Sequence, residues 1–115
     1  MTIRERVLAA TDWDTSEIEA GAWGTLTIRS FSAREKLELA DTLGDNGELS
    51  NTDAAKFYCR LIVLSVIDAD SNPAFTESDV DDLLGKNWNT IEKVSNAVRE
   101  FNGMAKDSIE GTAKN

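Results

Sequence analysis

Residues 54–67 read AAKFYCRLIVLSVI, and the fold turns on whether they form a helix or a strand. Phe57, Leu61 and Leu64 lie along one helical face, while Ile62, Val63, Val66 and Ile67 fill the others. An element that is apolar nearly all round belongs at the centre of a core. Its second half is β-branched, so a strand remains an alternative there. The run is continuous from a cap at Ser50, Thr52 or Asp53, and that length favours a helix over 53–67. Cys59 sits among apolar neighbours, where a thiol is buried and inert.

The next twelve residues, 68–79, read DADSNPAFTESD. Asp68, Asp70, Asn72 and Asp79 occupy positions one, three, five and twelve, with the aromatic Phe75 at position eight. That is close to the oxygen-ligand spacing of an EF-hand calcium loop. Two positions oppose it. Position six wants a glycine and holds Pro73, with its φ locked and no N–H. Position twelve wants a glutamate long enough to grip calcium with both oxygens and holds Asp79. A second stretch, TLGDNGELSNTD at 42–53, shares Gly47, Leu49 and Asp53 with the pattern but has Thr42 and Gly44 where the first two carboxylates belong. A connector explains every residue: an Asp/Asn/Ser turn, Pro73, Phe75 packing down, and a Thr76–Asp79 capping box that opens a helix over 77–84. That helix carries Val80, Leu83 and Leu84 and ends at Gly85.

Upstream, Thr2 and Glu5 make a capping box for a helix over 2–10, with Ile3, Val7 and Leu8 on one face. TDWDTSE at 11–17 is loop-like. In 25–29 Leu26 and Ile28 point one way and Thr25, Thr27 and Arg29 the other, the period of a half-buried strand. Gly21 and Gly24 bracket Ala22-Trp23, so a β-hairpin over 16–30 follows, pairing about 16–20 with 25–30. Alone it is marginal and must pack on helices. Ser32 and Glu35 cap a helix over 33–43 whose inner face is Leu37, Ala40 and Leu43, stopped by Gly44 and DNG at 45–47. Downstream, Asn89 and Glu92 open a helix over 90–102, where Ile91, Val94, Val98 and Phe101 form a packing seam and Asn102-Gly103 a stop. The fold expected is mainly α, in class terms all-α: about five helices with a short N-terminal β-hairpin packed on them. One domain spans 1–103, and 104–115 form a flexible or partly helical tail.

The totals narrow the function. The chain has 115 residues, which sets one domain, and 12 basic against 21 acidic side chains give net −9. Such a field repels phosphate backbones and anionic membranes and favours protein partners. The N-terminal MTIRERVLAATDW has no apolar core long enough for a signal peptide, and the longest apolar run, LIVLSVI, is far short of the ~20 residues that span a bilayer. There is no histidine and a single cysteine. The commonest general base and zinc ligand are therefore missing, and no internal disulfide can form. No phosphate-binding glycine loop or nucleophile elbow appears. These features point to a protein with no catalytic residues, no metal ligands and no cofactor. Trp13, Trp23 and Trp88 all fall in loops or at element ends. They lid the core or serve as partner-binding anchors, since tryptophan is enriched at binding hot spots.

The order of motifs resembles the tail assembly chaperones of long-tailed bacteriophages. The resemblance rests on AWGTLTIRSFSAREK at 22–36, with Trp23, Gly24, Arg29 and Ser32. It rests also on VLSVIDADSNPAFTESDVDDL at 63–83, with Asp68, Asp70, Pro73, Phe75, Thr76, Asp79 and Val80, and on EFNGM at 100–104. Ser71 stands where that family's turn would carry a glycine. The resemblance implies a non-enzymatic protein of the host bacterial cytoplasm, absent from the mature virion. Such a protein binds the tape measure protein and keeps it soluble until the tail tube polymerises. It implies self-association into homo-oligomers and a longer frameshifted form through which the tail tube protein is reached. Two other classes remain: an acidic DNA mimic that inhibits a host nucleic-acid-binding protein, and a degenerate EF-hand calcium module.

Overall fold

The computed structural model describes residues 2–43 and 51–104. Among them the elements run α1 (Ile3–Ala9), β1 (Thr15–Glu19), β2 (Thr25–Arg29), α2 (Ala33–Leu43), α3 (Asn51–Ser65), β3 (Val66–Ile67), α4 (Val80–Leu83) and α5 (Trp88–Phe101). Two single 3-10 turns span Gly21–Trp23 and Glu77–Asp79. The molecule is helix-rich with one three-stranded antiparallel sheet, order β1-β2-β3. The expected hairpin is thus two-thirds of a sheet, and an all-α description does not hold.

The third strand comes from the end of the central helix, which corrects the 53–67 boundary at both ends. α3 begins at Asn51, so Thr52 and Asp53 lie inside its first turn and do not cap it. It stops at Ser65, and Val66 and Ile67 pair with Ile28 and Thr27 of β2. β-branched residues give up helix readily where an open strand edge offers full backbone pairing. Ser65 secures the exit: its hydroxyl, fully buried, donates to the Arg29 carbonyl at 2.8 Å. The second half of α3 is buried on nearly every side, with Leu61, Ile62 and Val63 joining Phe57 and Cys59 in the core, while Lys56 and Arg60 keep one side of the first half polar.

The turn after β3 folds on Asp68. Its carboxylate accepts from the N–H groups of Asp70 and Asn72 at 2.9 and 3.0 Å, and its own N–H donates to the Asn72 carbonyl at 2.8 Å. Pro73 bridges back to Ile67, and the Ala74 N–H donates to the Val66 carbonyl at 3.1 Å. Ser71 takes φ +66°, the left-handed conformation a glycine adopts without cost. Phe75 is half-buried against the core, and the Asp79 carboxylate accepts from the Thr76 N–H at 2.8 Å.

α5 supplies the second wall. Ile91, Val94 and Val98 are buried, Phe101 packs beside them, and the helix lies on α3 and touches β1. Its cap is Asn87, not Asn89: the Asn87 side chain accepts from the Asn89 N–H at 2.8 Å, which starts the helix at Trp88. At its end the Met104 N–H reaches the Arg99 carbonyl and the Gly103 N–H the Glu100 carbonyl, at 2.7 and 3.1 Å. That pair of bonds is a Schellman stop, and Gly103 at φ +69° makes it possible.

α2 spans the expected residues but turns another face inward. Leu39 is buried at 1 %, while Leu37 is 68 % exposed and Ala40 is exposed. Arg29 draws Glu35 inward, and Leu39, one turn on, follows. On α4, Val80 and Leu83 are buried, whereas Leu84 is 36 % exposed. The expectations for Gly44, residues 45–47, a Ser50 cap, the 42–53 loop, the Leu43 side chain and residues 105–115 lie outside what the structure describes.

Candidate functional site

The N-terminal arm is the least covered part of the described fold. α1 is a regular helix. The Thr2 hydroxyl accepts from the Glu5 N–H and donates to the Glu5 carboxylate, both at 3.1 Å. Among the described residues nothing covers its apolar face: Ile3 is 71 %, Val7 61 % and Leu8 68 % exposed, and no residue of the helix is buried. Arg4 and Arg6 belong to the same helix and are exposed as well.

Among the described residues the arm is fastened where it joins the sheet. The Asp14 N–H donates to the Ser30 hydroxyl at 2.9 Å, and the Ser30 N–H donates to the Asp14 carbonyl at 2.8 Å. Next to this clasp the Arg29 guanidinium lies 4.8 Å from the centre of the Trp13 ring. Arg29, expected on the polar face of its strand, is only 8 % exposed. Its two terminal nitrogens grip both Glu35 oxygens, at 2.9 and 2.7 Å. Glu35 also closes the α2 capping box: its carboxylate accepts from the Ser32 N–H at 2.8 Å, and its N–H donates to the Ser32 hydroxyl at 3.1 Å. Burial raises the Glu35 carboxyl. The Arg29 hydrogen bonds, the Ser32 N–H and the Arg29 charge outweigh it, so the net pKa falls below its ordinary value.

The three tryptophans do not converge. Trp23 packs against the core and anchors the hairpin. Trp13 is 39 % exposed and forms one side of a recess of about 260 Å3 with Asp12, Ser30, Phe31, Ser32 and Ala33. Trp88 is 45 % exposed and tilts against Tyr58 at 5.6 Å, with Arg99 5.8 Å over the Tyr58 ring. Trp88 opens α5, whereas Asn102, just past its end, accepts from the Phe31 N–H at 2.7 Å beside the Trp13 recess. A helix of α5's length holds those ends about 20 Å apart. Trp13 and Trp88 therefore belong to separate surfaces, and of the two only Trp13 adjoins the arm.

The side chains of the calcium pattern are engaged locally. Asp68 organises its own turn and Asp79 caps the 3-10 turn that leads into α4. Among the described residues no group of three or more His, Cys, Asp or Glu comes together as a metal site. Cys59 is fully buried, and burial pushes its thiol pKa up.

A groove of about 290 Å3 opens between α2 and α3. It is lined by Glu38, Leu39, Arg60, Leu64 and Glu77, with Arg60 and Glu77 paired at 2.9 Å. Neither this groove nor the exposure of Ile3, Val7 and Leu8 was singled out from the sequence. The signal available was length: a short helix followed by a polar loop has little fold to bury its stripe against. Compared with models of known protein families, with curated proteins and with solved structures, the chain matches none.

Proposed function

We propose that this chain is a non-enzymatic tail assembly chaperone of a long-tailed phage or prophage, acting in the host bacterial cytoplasm and leaving before the virion matures. It binds the tape measure protein and keeps that long, apolar, helical client soluble until the tube polymerises. The observation that carries this reading is the α1 face: three large apolar side chains, Ile3, Val7 and Leu8, all more than 60 % exposed, in a chain of net charge −9. An amphipathic helix held out from the fold packs against a client helix through i, i+4 anchors. The negative field keeps the protein and its complex dispersed. Many of the residues on which the resemblance rests serve as caps, turns and core contacts, so the reading takes the client surface from the exposed α1 face.

Co-expression with fragments of the tape measure protein from the same genome tests the reading. The chaperone is expected to hold a fragment in the soluble fraction and co-elute with it, and Ile3→Asp/Leu8→Asp to lose the fragment while keeping its melting temperature. A folded wild-type protein that captures no fragment contradicts it.

One observation favours a second reading. Asp12, Asp14, Glu17 and Glu19 all lie exposed along and before the edge strand β1. A row of carboxylates of this kind is what a DNA mimic offers a basic protein. Binding to such a protein that weakens steeply with salt would favour it, whereas salt-indifferent capture of an apolar client favours the chaperone.

A further inference from the structure

We propose that the outer edge of β1 is a strand-docking site, which takes an extended segment of another protein with basic and apolar residues in alternation. The inference goes beyond the chaperone reading and uses no part of α1.

The hydrogen-bond pattern leaves that edge open. In an antiparallel pair every second residue turns its N–H and C=O toward the partner strand. The Asp14 carbonyl accepts from the Ser30 N–H and the Ala20 N–H donates to the Gly24 carbonyl, at 2.8 and 2.9 Å. The same alternation turns Ser16 and Ile18 toward β2, opposite Ile28 and Leu26. The backbone groups of Thr15, Glu17 and Glu19 therefore point away from the sheet. Among the described residues none of those groups meets a partner. The far edge of the sheet is closed by contrast. There the Ala74 N–H donates to the Val66 carbonyl at 3.1 Å and Pro73 bridges to Ile67. An open edge is a template for one more strand, whose main chain supplies affinity and whose alternate side chains supply specificity.

The side chains along β1 specify the occupant. Thr15, Glu17 and Glu19 are exposed, while Ser16 and Ile18 are half-buried, with Ile18 packed on the core. The Glu19 carboxylate accepts from the Thr25 hydroxyl across the hairpin at 2.8 Å, which holds it on the exposed face. The β2 residues opposite Glu17 and Glu19 are Thr27 and Thr25, so neither glutamate has a cation across the hairpin. A strand laid along the edge sets its own side chains beside these. Lysine or arginine fits next to Glu17 and Glu19, and an apolar residue next to Ile18. A second β1 is the wrong occupant, because it brings glutamates against glutamates. The segments of this chain outside the described residues match no better. GDNGELS at 44–50 has no basic residue, and AKDSIEGTAKN at 105–115 has only Lys106 and Lys114, with Asp107 and Glu110 between them. Glu17 and Glu19 also belong to the row that favours a DNA mimic, but a mimic needs charge alone, whereas strand docking needs a partner with free backbone N–H and C=O groups.

The test uses the full chain and two short synthetic peptides of equal charge. Both alternate lysine with valine, and the second is N-methylated throughout, so that it keeps its charge and cannot build a ladder. Residue-resolved hydrogen exchange is expected to show Thr15, Glu17 and Glu19 amides exchanging freely in the protein alone. Saturating lysine–valine peptide should slow them roughly tenfold or more, with Ser16 and Ile18 protected throughout. The methylated peptide should bind at least about tenfold more weakly. Glu17→Lys/Glu19→Lys, with an unchanged melting temperature, should weaken binding of the unmodified peptide by a similar factor. Strong protection of the outward amides in the free chain would show the edge already paired and overturns the proposal. So does a peptide that leaves their exchange unchanged, or a methylated peptide that binds equally well, which would assign the interaction to charge alone.

Discussion

α1 and α5 are written in the same code and meet different fates. Each opens with a side-chain cap, Thr2 and Asn87, and each carries large apolar side chains, four along the seam of α5 at three- and four-residue spacing and Ile3, Val7 and Leu8 in α1. In α5 the stripe vanishes into the core: Ile91 is 2 % exposed, and Val94 and Val98 are fully buried. In α1 every residue is exposed. An amphipathic stripe shows that an element seeks a partner. It does not show whether the partner is in the same chain. Length separates the two. α5 has 14 residues, lies across α3 and is tied down at its end by Asn102, whereas α1 has seven and joins the fold through a polar linker clasped at Asp14.

The contrast can be broken first at α5. Ile91→Ala is expected to cost about 3 kcal/mol of unfolding free energy in a urea titration, through lost transfer energy and the cavity left behind. A cost under about 1 kcal/mol would mean that α5 is not the structural helix and would erase the distinction.

Glu35→Ala is expected to cost nearly as much, about 2–3 kcal/mol, because it leaves the Arg29 guanidinium buried without its partner and opens the α2 cap. The pH dependence fixes the sign. Glu35 has a folded pKa below its ordinary value of 4.5, so its stabilisation is complete above that value and disappears as pH falls through the lowered folded pKa. Wild-type stability should therefore drop in that acid window, with a smaller drop in Glu35→Ala. Identical slopes would count against the buried pair.

Asn102→Ala should cost about 1–3 kcal/mol, since the buried Phe31 N–H loses its acceptor across 71 residues of chain. Hydrogen exchange at Phe31 should rise with it. The smallest effect belongs to α1. Leu8→Ser is expected to change unfolding free energy by less than about 0.5 kcal/mol while lowering client capture. A loss of 2 kcal/mol would show that α1 packs in the monomer and would overturn the comparison.

Much of the fold was legible because local signals and the global pattern agree. The capping residues Thr2, Ser32 and Thr76 open helical turns as expected, the hairpin falls where Gly21 and Gly24 put it, and the α5 seam is buried as spaced. What escaped the sequence depends on neighbours far along the chain. Val66 and Ile67 read as the end of a helix until β2 offers them an edge. Arg29 looks like a solvent-facing strand residue until Trp13 and Glu35 cover it, and that same contact rotates α2 to bury Leu39 and not Leu37. Ser71 is the reverse case: a position expected to want glycine does sit at positive φ, at a local cost of order 1 kcal/mol. Of the site, the tryptophans were legible as candidates, but their separation was not. The arm was legible as a helix, while its exposure required the rest of the fold.

Hydrogen exchange of α1 amides, followed with and without added tape measure fragment, tests most directly whether the exposed α1 face is a binding surface. Near-unprotected α1 amides are expected in the dilute protein alone, with protection that rises on adding the fragment and constant strong protection in α5. Full α1 protection in the dilute monomer, or none under any condition, would contradict it.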